Sequence, residues 1–344
     1  MIAPGNSNVE LGLNAHIRQG DGQETGRELS YDVIPFTTDG FWFFAARRMR
    51  KLYRRWEADA VFVTTDREHL IAATTCWLAR RGTIIRRNPA GVKLAMNFSG
   101  RFAARLVPTV FLFASEADRN AAVIPVRALA QAVAEIGVNP EEYDSAATAD
   151  AREPAVPGSN GDARYIVCVY DPSSRGRAAT AIRCVSMLAP RHPHLRLLIV
   201  GAGSDHEDLR MQAAALRILH LVSFLGERDD QIAIMRDADL GWVVADGDTA
   251  AYGLLDLMAL GKPVIAGEAG VAQRYVAEGI TGTLYPADDS AATAAAVAGL
   301  LASEETRHAM GRAARTRVAR DFPETGMIDG FARAAEAAQK RSKR

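Results

Sequence analysis

At 344 residues the chain is long enough for two domains of ordinary size, and a hydrophobic content of 48% supplies the apolar side chains that two cores need. Lys plus Arg and Asp plus Glu balance at 41 each, so the formal net charge is zero and bulk electrostatics give no reason to expect a nucleic-acid partner. Cys76, Cys168 and Cys184 sit in apolar contexts without C-x-x-C spacing, which reads as buried thiols in a reducing cytoplasm and implies no zinc site; no apolar run reaches the roughly 18 residues of a membrane span, and no signal-peptide pattern opens the chain.

The N-terminal half opens on fragments. Residues 1–3 read as the end of a strand and Pro4-Gly5-Asn6 as its loop, so a first strand shortened to three residues is expected. Residues 9–17 have helical apolar spacing, 18–28 are polar and glycine-rich, and 31–36 are a second strand. Residues 41–56, FWFFAARRMRKLYRRW, set six cations among aromatics. This is a surface helix with its aromatic side on the sheet or, in the sharper reading, a helix lying on a membrane surface. Residues 58–65 read as a strand, 69–80 as a helix and 82–85 as a strand followed by the loop Arg86-Arg87-Asn88-Pro89-Ala90-Gly91. Residues 107–115 are a further strand. Residues 145–163, rich in Ala, Ser, Pro, Gly and Asp and without periodicity, are the expected linker, which divides the chain at about 158.

From residue 165 onward strand and helix alternate cleanly: strands at 165–170, 195–200, 221–226 and 240–245, with helices at 178–188, 206–216 and 231–238 between them. Such alternation predicts a doubly wound α/β domain with a parallel sheet. Residues 246–266, DGDTAAYGLLDLMALGKPVIA, organise this half. A polar turn leads into an apolar helix, Gly261 falls where a helix C-cap wants it, and Pro263 begins a short buried strand. Asp248 and Asp256 are eight positions apart, a little over two helical turns, so both can face one side. An N-cap and a solvated carboxylate would explain them structurally, but Asp256 is flanked by Leu254, Leu255, Leu257 and Met258, and a carboxylate inside an apolar helix needs a reason.

Three other patterns weigh less. Gly201-Ala202-Gly203 starts a G-x-G-x-x-G fingerprint, but position 206 is His. Asp246-Gly247-Asp248 spells D-x-D, a three-residue match common by chance. His192 and His194 flank a proline and read as solvated, while Asp237 and Asp239 read as a helix end and turn.

The stretch 248–266 resembles the E-x7-E signature of the retaining GT-B glycosyltransferases of family 4, approximately E-x-F-G-L-x-x-x-E-A-M-A-x-G-x-P-V-V-A. The acid spacing, Met-Ala and Gly-x-Pro-Val match; both glutamates are aspartates here, and the aromatic-Gly pair is shifted by two positions. The order of V-G-x-G, V-x-F-L-G, the acidic motif and G-I-T-G-T-L-Y-P resembles the family from about 165 to 322, and Glu135 to Tyr143 resembles its P-N-G-V-D-P-E-x-F. The resemblance implies a GT-B fold: two doubly wound Rossmann-like domains, 1–158 on the acceptor side and 159–344 binding the nucleotide sugar, with a last helix at about 323–340 crossing back.

It also implies roles. Asp248 would bind the donor sugar and Arg175 would stand for the family lysine beside the diphosphate. Asp256 would take the ribose hydroxyls, Tyr252, Gly253 and Leu254 would lie near sugar or phosphates, and Leu225, Gly226 and Arg228 would border the base. Gly5, Asn6, Arg86 and Arg87 would face the acceptor. The donor would be a UDP- or GDP-sugar, the acceptor a glycan, a lipid-linked sugar or a small molecule, with no metal or cofactor. The family's phosphate-binding arginine has no equivalent, Asp171 lies in that loop, and Arg274 replaces a glutamate that the relatives carry, so Arg175 and Arg274 would have to rebuild the cationic clamp together. Two readings follow: an active retaining transferase, or a GT-B scaffold that binds a nucleotide, sugar or partner without turnover.

Overall fold

The computed structural model describes residues 2–4, 34–36, 42–55, 58–124, 128–149, 163–201, 203, 206–268, 270–286 and 289–342. The predicted segments at 9–17 and 18–28 lie outside them. Strands β1 (Ile2–Pro4) and β2 (Ile34–Phe36) pair in parallel as a two-stranded sheet. Helix α1 (Trp42–Arg55) buries Ala45, Ala46, Met49 and Tyr53 on one side and exposes Arg47, Arg48, Lys51, Arg54 and Arg55 on the other. Then come β3 (Ala60–Val63), α2 (Asp66–Ala79), β4 (Thr83–Asn88), α3 (Phe98–Leu106), β5 (Thr109–Phe113), α4 (Glu116–Ala121), β6 (Ala130–Val133) and α5 (Pro140–Ala149). β3-β4-β5-β6 form a parallel sheet in sequence order.

α2 begins three residues before the apolar periodicity because Thr65 and Glu68 form a capping box, each side chain taking the other's backbone amide. β4 runs through Asn88 rather than ending at 85. Arg86 and Arg87, expected in the loop, therefore sit on the strand, paired with Phe111 and Leu112 of β5, and alternate to opposite faces of the sheet.

The second domain contains β7 (Arg164–Val169), α6 (Arg175–Leu188), β8 (Leu195–Val200), α7 (His206–Ala215), β9 (Val222–Gly226), α8 (Gln231–Asp237), β10 (Leu240–Val243), α9 (Gly247–Ala259), β11 (Val264–Gly267), α10 (Ala272–Tyr275), β12 (Gly282–Tyr285), α11 (Ser290–Ala302) and α12 (Glu304–Asp321). Its six strands are all parallel in the order β12-β11-β10-β7-β8-β9. The inner strands β10, β7 and β8 are buried along almost their whole length, which is why they read as continuous apolar runs. Cys76, Cys168 and Cys184 are buried free thiols, pushed by burial up to about 11, 12 and 11 respectively, so they stay protonated at neutral pH.

The last helix, α13 (Glu324–Ser342), lies on the N-terminal sheet. Ala334 and Ala338 are fully buried against Ile85, Val110, Leu112 and Ala134. Thr83 Oγ1 donates to the Ala338 carbonyl at 3.1 Å. The chain crosses back at Gly137, where an added Cβ would lie 2.5 Å from the Pro323 carbonyl oxygen, and the neighbouring Val138 amide donates to the Phe322 carbonyl. Ala90, Ala114, Ile136, Val138 and Tyr143 of the first domain belong to one apolar cluster with Leu255, Tyr275 and Val318 of the second, so the domains share part of a core.

Candidate active site

The strand order of the second sheet reverses between β10 and β7, and in open parallel sheets ligands bind in the crevice beyond the strand ends at that point. The loops that meet there are tied together by two side chains. Asp171, after β7, accepts from the Ser173 amide at 2.8 Å and from the Asp246 amide at 2.9 Å, and is 8% exposed. Arg177, in the first turn of α6, donates to the Val244 carbonyl at 2.6 Å and to the Asp246 carboxylate at 2.5 Å. The Asp171 charge is thereby engaged at the turn that opens α9.

α9 rests on the sheet through Ala250, Ala251, Leu254, Leu255, Leu257 and Met258, all buried. Gly253 makes this close approach possible: a Cβ there would lie 2.9 Å from Val169 of β7. Of the residues left over, Asp248, Tyr252 and Asp256 recur every fourth position and form one stripe. All three point at the N-terminal domain or the crossing-back segment. Asp248 accepts from the Ala90 amide at 2.9 Å and forms an ion pair with Arg87. The Tyr252 hydroxyl approaches the Met327 sulfur at 4.0 Å, and Asp256 accepts from the Tyr143 hydroxyl at 2.5 Å.

Electrostatics follow from this packing. Burial opposes the Arg87 charge, but Asp248 outweighs it and holds the guanidinium above its ordinary value. Burial first, then the Asp256 charge, drives the Tyr143 phenol well above its usual range. Burial also raises Tyr252, with the carboxylates of Asp248 and Asp256 adding to it and Arg87 opposing. Asp248, in the first turn of α9, is favoured by the helix dipole as well as by Arg87.

The other expected site residues fall into three groups. Arg175 pairs with Asp208 at 2.9 Å on the exposed side of α6, and Arg274 bonds Glu135 of the N-terminal domain at 2.6 Å. Each has an acid of its own, so the two do not form the shared clamp that the sequence suggested. Leu225 and Gly226 end β9 and are half-buried, while Arg228 is gripped by Asp230 two residues on, at 2.6 Å through both nitrogens. Leu254 is fully buried and its side chain serves packing. Arg86 is 5% exposed and enclosed in the first domain, paired with Asp66 at 2.5 Å and with His69 Nδ1 at 3.2 Å, so the acceptor-side role expected of it has no opening. Gly5 and Asn6 lie outside the described residues.

Sequence reasoning missed Tyr143 and Arg177. Tyr143 was visible only as the aromatic of the P-E-x-F-like segment, and nothing local to 140–143 told that its hydroxyl would reach α9. A small pocket of about 100 Å³ lies between the domains beside these groups, lined by Ala90, Gly91, Asp118, Val271, Arg274 and Tyr275. Among the described residues no cluster of His, Cys, Asp or Glu is arranged to hold a metal ion.

Residues 150–317 match the family described as glycosyl transferases group 1. Over that segment, just under half of the chain, it is similar to the group 1 glycosyl transferases. It is 34% identical over 186 residues to a phosphatidyl-myo-inositol mannosyltransferase of Mycolicibacterium smegmatis, covering 53% of this chain and 47% of that protein. It is 30% identical over 144 residues to a glycogen synthase of Mycobacterium tuberculosis, covering 41% and 35%. The match thus spans about half, or less, of these relatives' length. Among solved structures, the HepE protein of Anabaena in complex with UDP and glucose aligns with a TM-score of 0.73 at 17% identity over 97% of this chain and 98% of that one. Sucrose-phosphate synthase of Thermosynechococcus elongatus aligns at 0.66 and 15%, over 98% and 94%. The fold is GT-B, with a four-stranded and a six-stranded parallel sheet.

Proposed function

We propose that the chain transfers a sugar from a UDP- or GDP-sugar to a glycan, lipid-linked or small-molecule acceptor, with retention at the anomeric carbon and without a metal. The observation that carries this reading is the stripe Asp248–Tyr252–Asp256 at the switch-point crevice of a group 1 domain, on the helix that faces the other domain. When the glycosidic bond breaks, the diphosphate leaves with the electron pair and its negative charge grows. The N-terminus of α9 supplies oriented amides there, and Arg177 and Arg87 bring cations to the same turn. Both acids of Asp246-Gly247-Asp248 are paired with arginines, an arrangement that suits positioning rather than metal ligation. Asp256 serves the ribose, whose two hydroxyls a carboxylate can accept together. Retention follows from the resemblance of the motif.

The relatives' names include a mannosyltransferase acting on phosphatidyl-myo-inositol and a glycogen synthase, which support a lipid-linked or glycan acceptor. α1 fits the former. It presents five exposed cations and an exposed Phe44, with no acid along the helix. Work at the cytoplasmic membrane face, with α1 lying on an anionic lipid surface, is part of the proposal. No helix among the described residues is long and apolar enough to cross a membrane.

The second reading is a scaffold that binds without turnover, and it draws on the separate engagement of Arg175 and Arg274. Release of nucleoside diphosphate from UDP- and GDP-sugars, with membrane extract or oligosaccharides as acceptor, separates the two. The transferase releases diphosphate in step with glycosylated product. A scaffold binds the nucleotide and releases nothing above the rate without protein.

A further inference from the structure

The Asp256 carboxylate sits on a side chain one methylene shorter than the glutamate of the motif it resembles, and it meets a partner from the other domain. Tyr143, on α5, donates its hydroxyl to Asp256 Oδ1 at 2.5 Å. The ring is 7% exposed and packs in the cluster that holds Leu255, Ile234 and Met258, so it has no room to swing away. Burial and the Asp256 charge hold the phenol protonated, so its hydroxyl is the donor of this bond. A carboxylate offers about four lone-pair sites, so this bond can fix its rotation while the group still accepts from a ligand.

We propose that Tyr143 is a positioning residue for the nucleotide: its hydroxyl holds the Asp256 carboxylate so that the remaining lone pairs face the ribose hydroxyls. This rests on the reading of Asp256 as the ribose-binding group. It also makes nucleotide affinity depend on a residue outside the domain that binds the nucleotide, so the seating of α5 against α8 and α9 tunes the donor site.

Calorimetry with UDP and with GDP on the full chain tests this, using Tyr143→Phe, Asp256→Asn and the double variant Tyr143→Phe/Asp256→Glu, with melting curves to establish that each folds. Tyr143→Phe should weaken binding of whichever nucleotide the wild type takes by about three- to tenfold, within what one charge-assisted hydrogen bond can do. The double variant should recover most of that loss, because the longer glutamate reaches the ribose without the hydroxyl; a tyrosine that mattered only to packing would show no such rescue. If Asp256→Asn weakens binding tenfold while Tyr143→Phe binds as tightly as wild type or tighter, the positioning role is overturned and the ribose role stands. If Asp256→Asn binds as wild type does, the ribose reading fails and Tyr143 falls with it. If Tyr143→Phe does not fold, the double variant decides alone: near-wild-type affinity supports the proposal, and affinity as poor as that of Asp256→Asn overturns it.

Discussion

Arg87 on β4 and Asp248 in the first turn of α9 form an ion pair across the two domains, with side chains only 15% and 23% exposed. The Ala90 amide donates to the other carboxylate oxygen at 2.9 Å, so Asp248 is held at both oxygens by the N-terminal domain. A pair this sheltered differs from a surface salt bridge: removing one partner strands the other charge in a poorly hydrated site.

Arg87→Met should therefore destabilise the protein by about 1–3 kcal/mol, scaled down from the cost of breaking a fully buried pair because some solvent reaches this one. Asp248→Asn should destabilise as well, since an asparagine whose carbonyl takes the Ala90 amide turns its NH2 toward Arg87 and leaves that guanidinium without its carboxylate. Scanning calorimetry of the two variants checks both losses. An Arg87→Met protein that melts with the wild type would show that the pair contributes nothing to domain docking.

The N-terminal domain should lose stability as the pH falls. Burial lowers His69 to about 4 from an ordinary 6.5, with Arg86 adding to the effect and Asp66 opposing it. Arg86 can only donate to His69 Nδ1, so the proton sits on Nε2 and faces Thr109 Oγ1 at 3.1 Å. A base whose folded value lies below its unfolded one binds fewer protons when folded. The stability from neutral His69 is fully present above about pH 6.5 and is lost as the pH falls from there to about 4, by up to roughly 3 kcal/mol. His69→Gln should flatten the pH dependence of urea midpoints over that window; an unchanged slope would place the titration elsewhere.

Gly253→Ala should raise α9 off β7. The new Cβ would meet Val169 at 2.9 Å, tighter than side chains tolerate, and both elements are core. Overpacking of this kind costs about 1–3 kcal/mol. The displaced helix carries Asp248 and Asp256 with it, so nucleotide affinity should fall alongside the melting temperature. A variant with normal affinity and normal stability would mean that α9 has more freedom than its packing shows.

The architecture of the second domain was legible because its inner strands are continuous apolar runs bounded by turn residues, and the Gly261-Lys262-Pro263 end of α9 carries its own stop signal. Less was legible in the first domain. β6, Ala130–Val133, is too short and too mixed to stand out, and the extension of β4 over Arg86 and Arg87 was hidden because two arginines read as loop. They are strand residues because Asp66 and Asp248, 20 and 161 positions away, neutralise them on the two faces. The same limit applies to the site. Spacing along one helix revealed the Asp248–Asp256 stripe, but the partners Arg87 and Tyr143 come from the other domain, and no local pattern encodes a tertiary contact.

Removing residues 323–344 should unfold the first domain rather than the second. α13 covers Ile85, Val110 and Leu112, which are fully buried, and its own Ala334 and Ala338 fit that surface without space to spare. Limited proteolysis should then cut within 58–140 and leave a resistant fragment from about 163 to 321. Equal resistance of both halves would contradict the role given to α13.

The most direct test of the central claim is the melting temperature of the chain with UDP, GDP and ADP and their sugars, run beside Asp256→Asn. A nucleotide at a hundred times its dissociation constant stabilises the folded state by about 2.7 kcal/mol, or roughly 5–10 °C for a domain of this size. The account predicts such a rise with UDP or GDP and its sugar, reduced in Asp256→Asn at the same concentration. No rise with any of them, or an equal rise in wild type and Asp256→Asn, would contradict it.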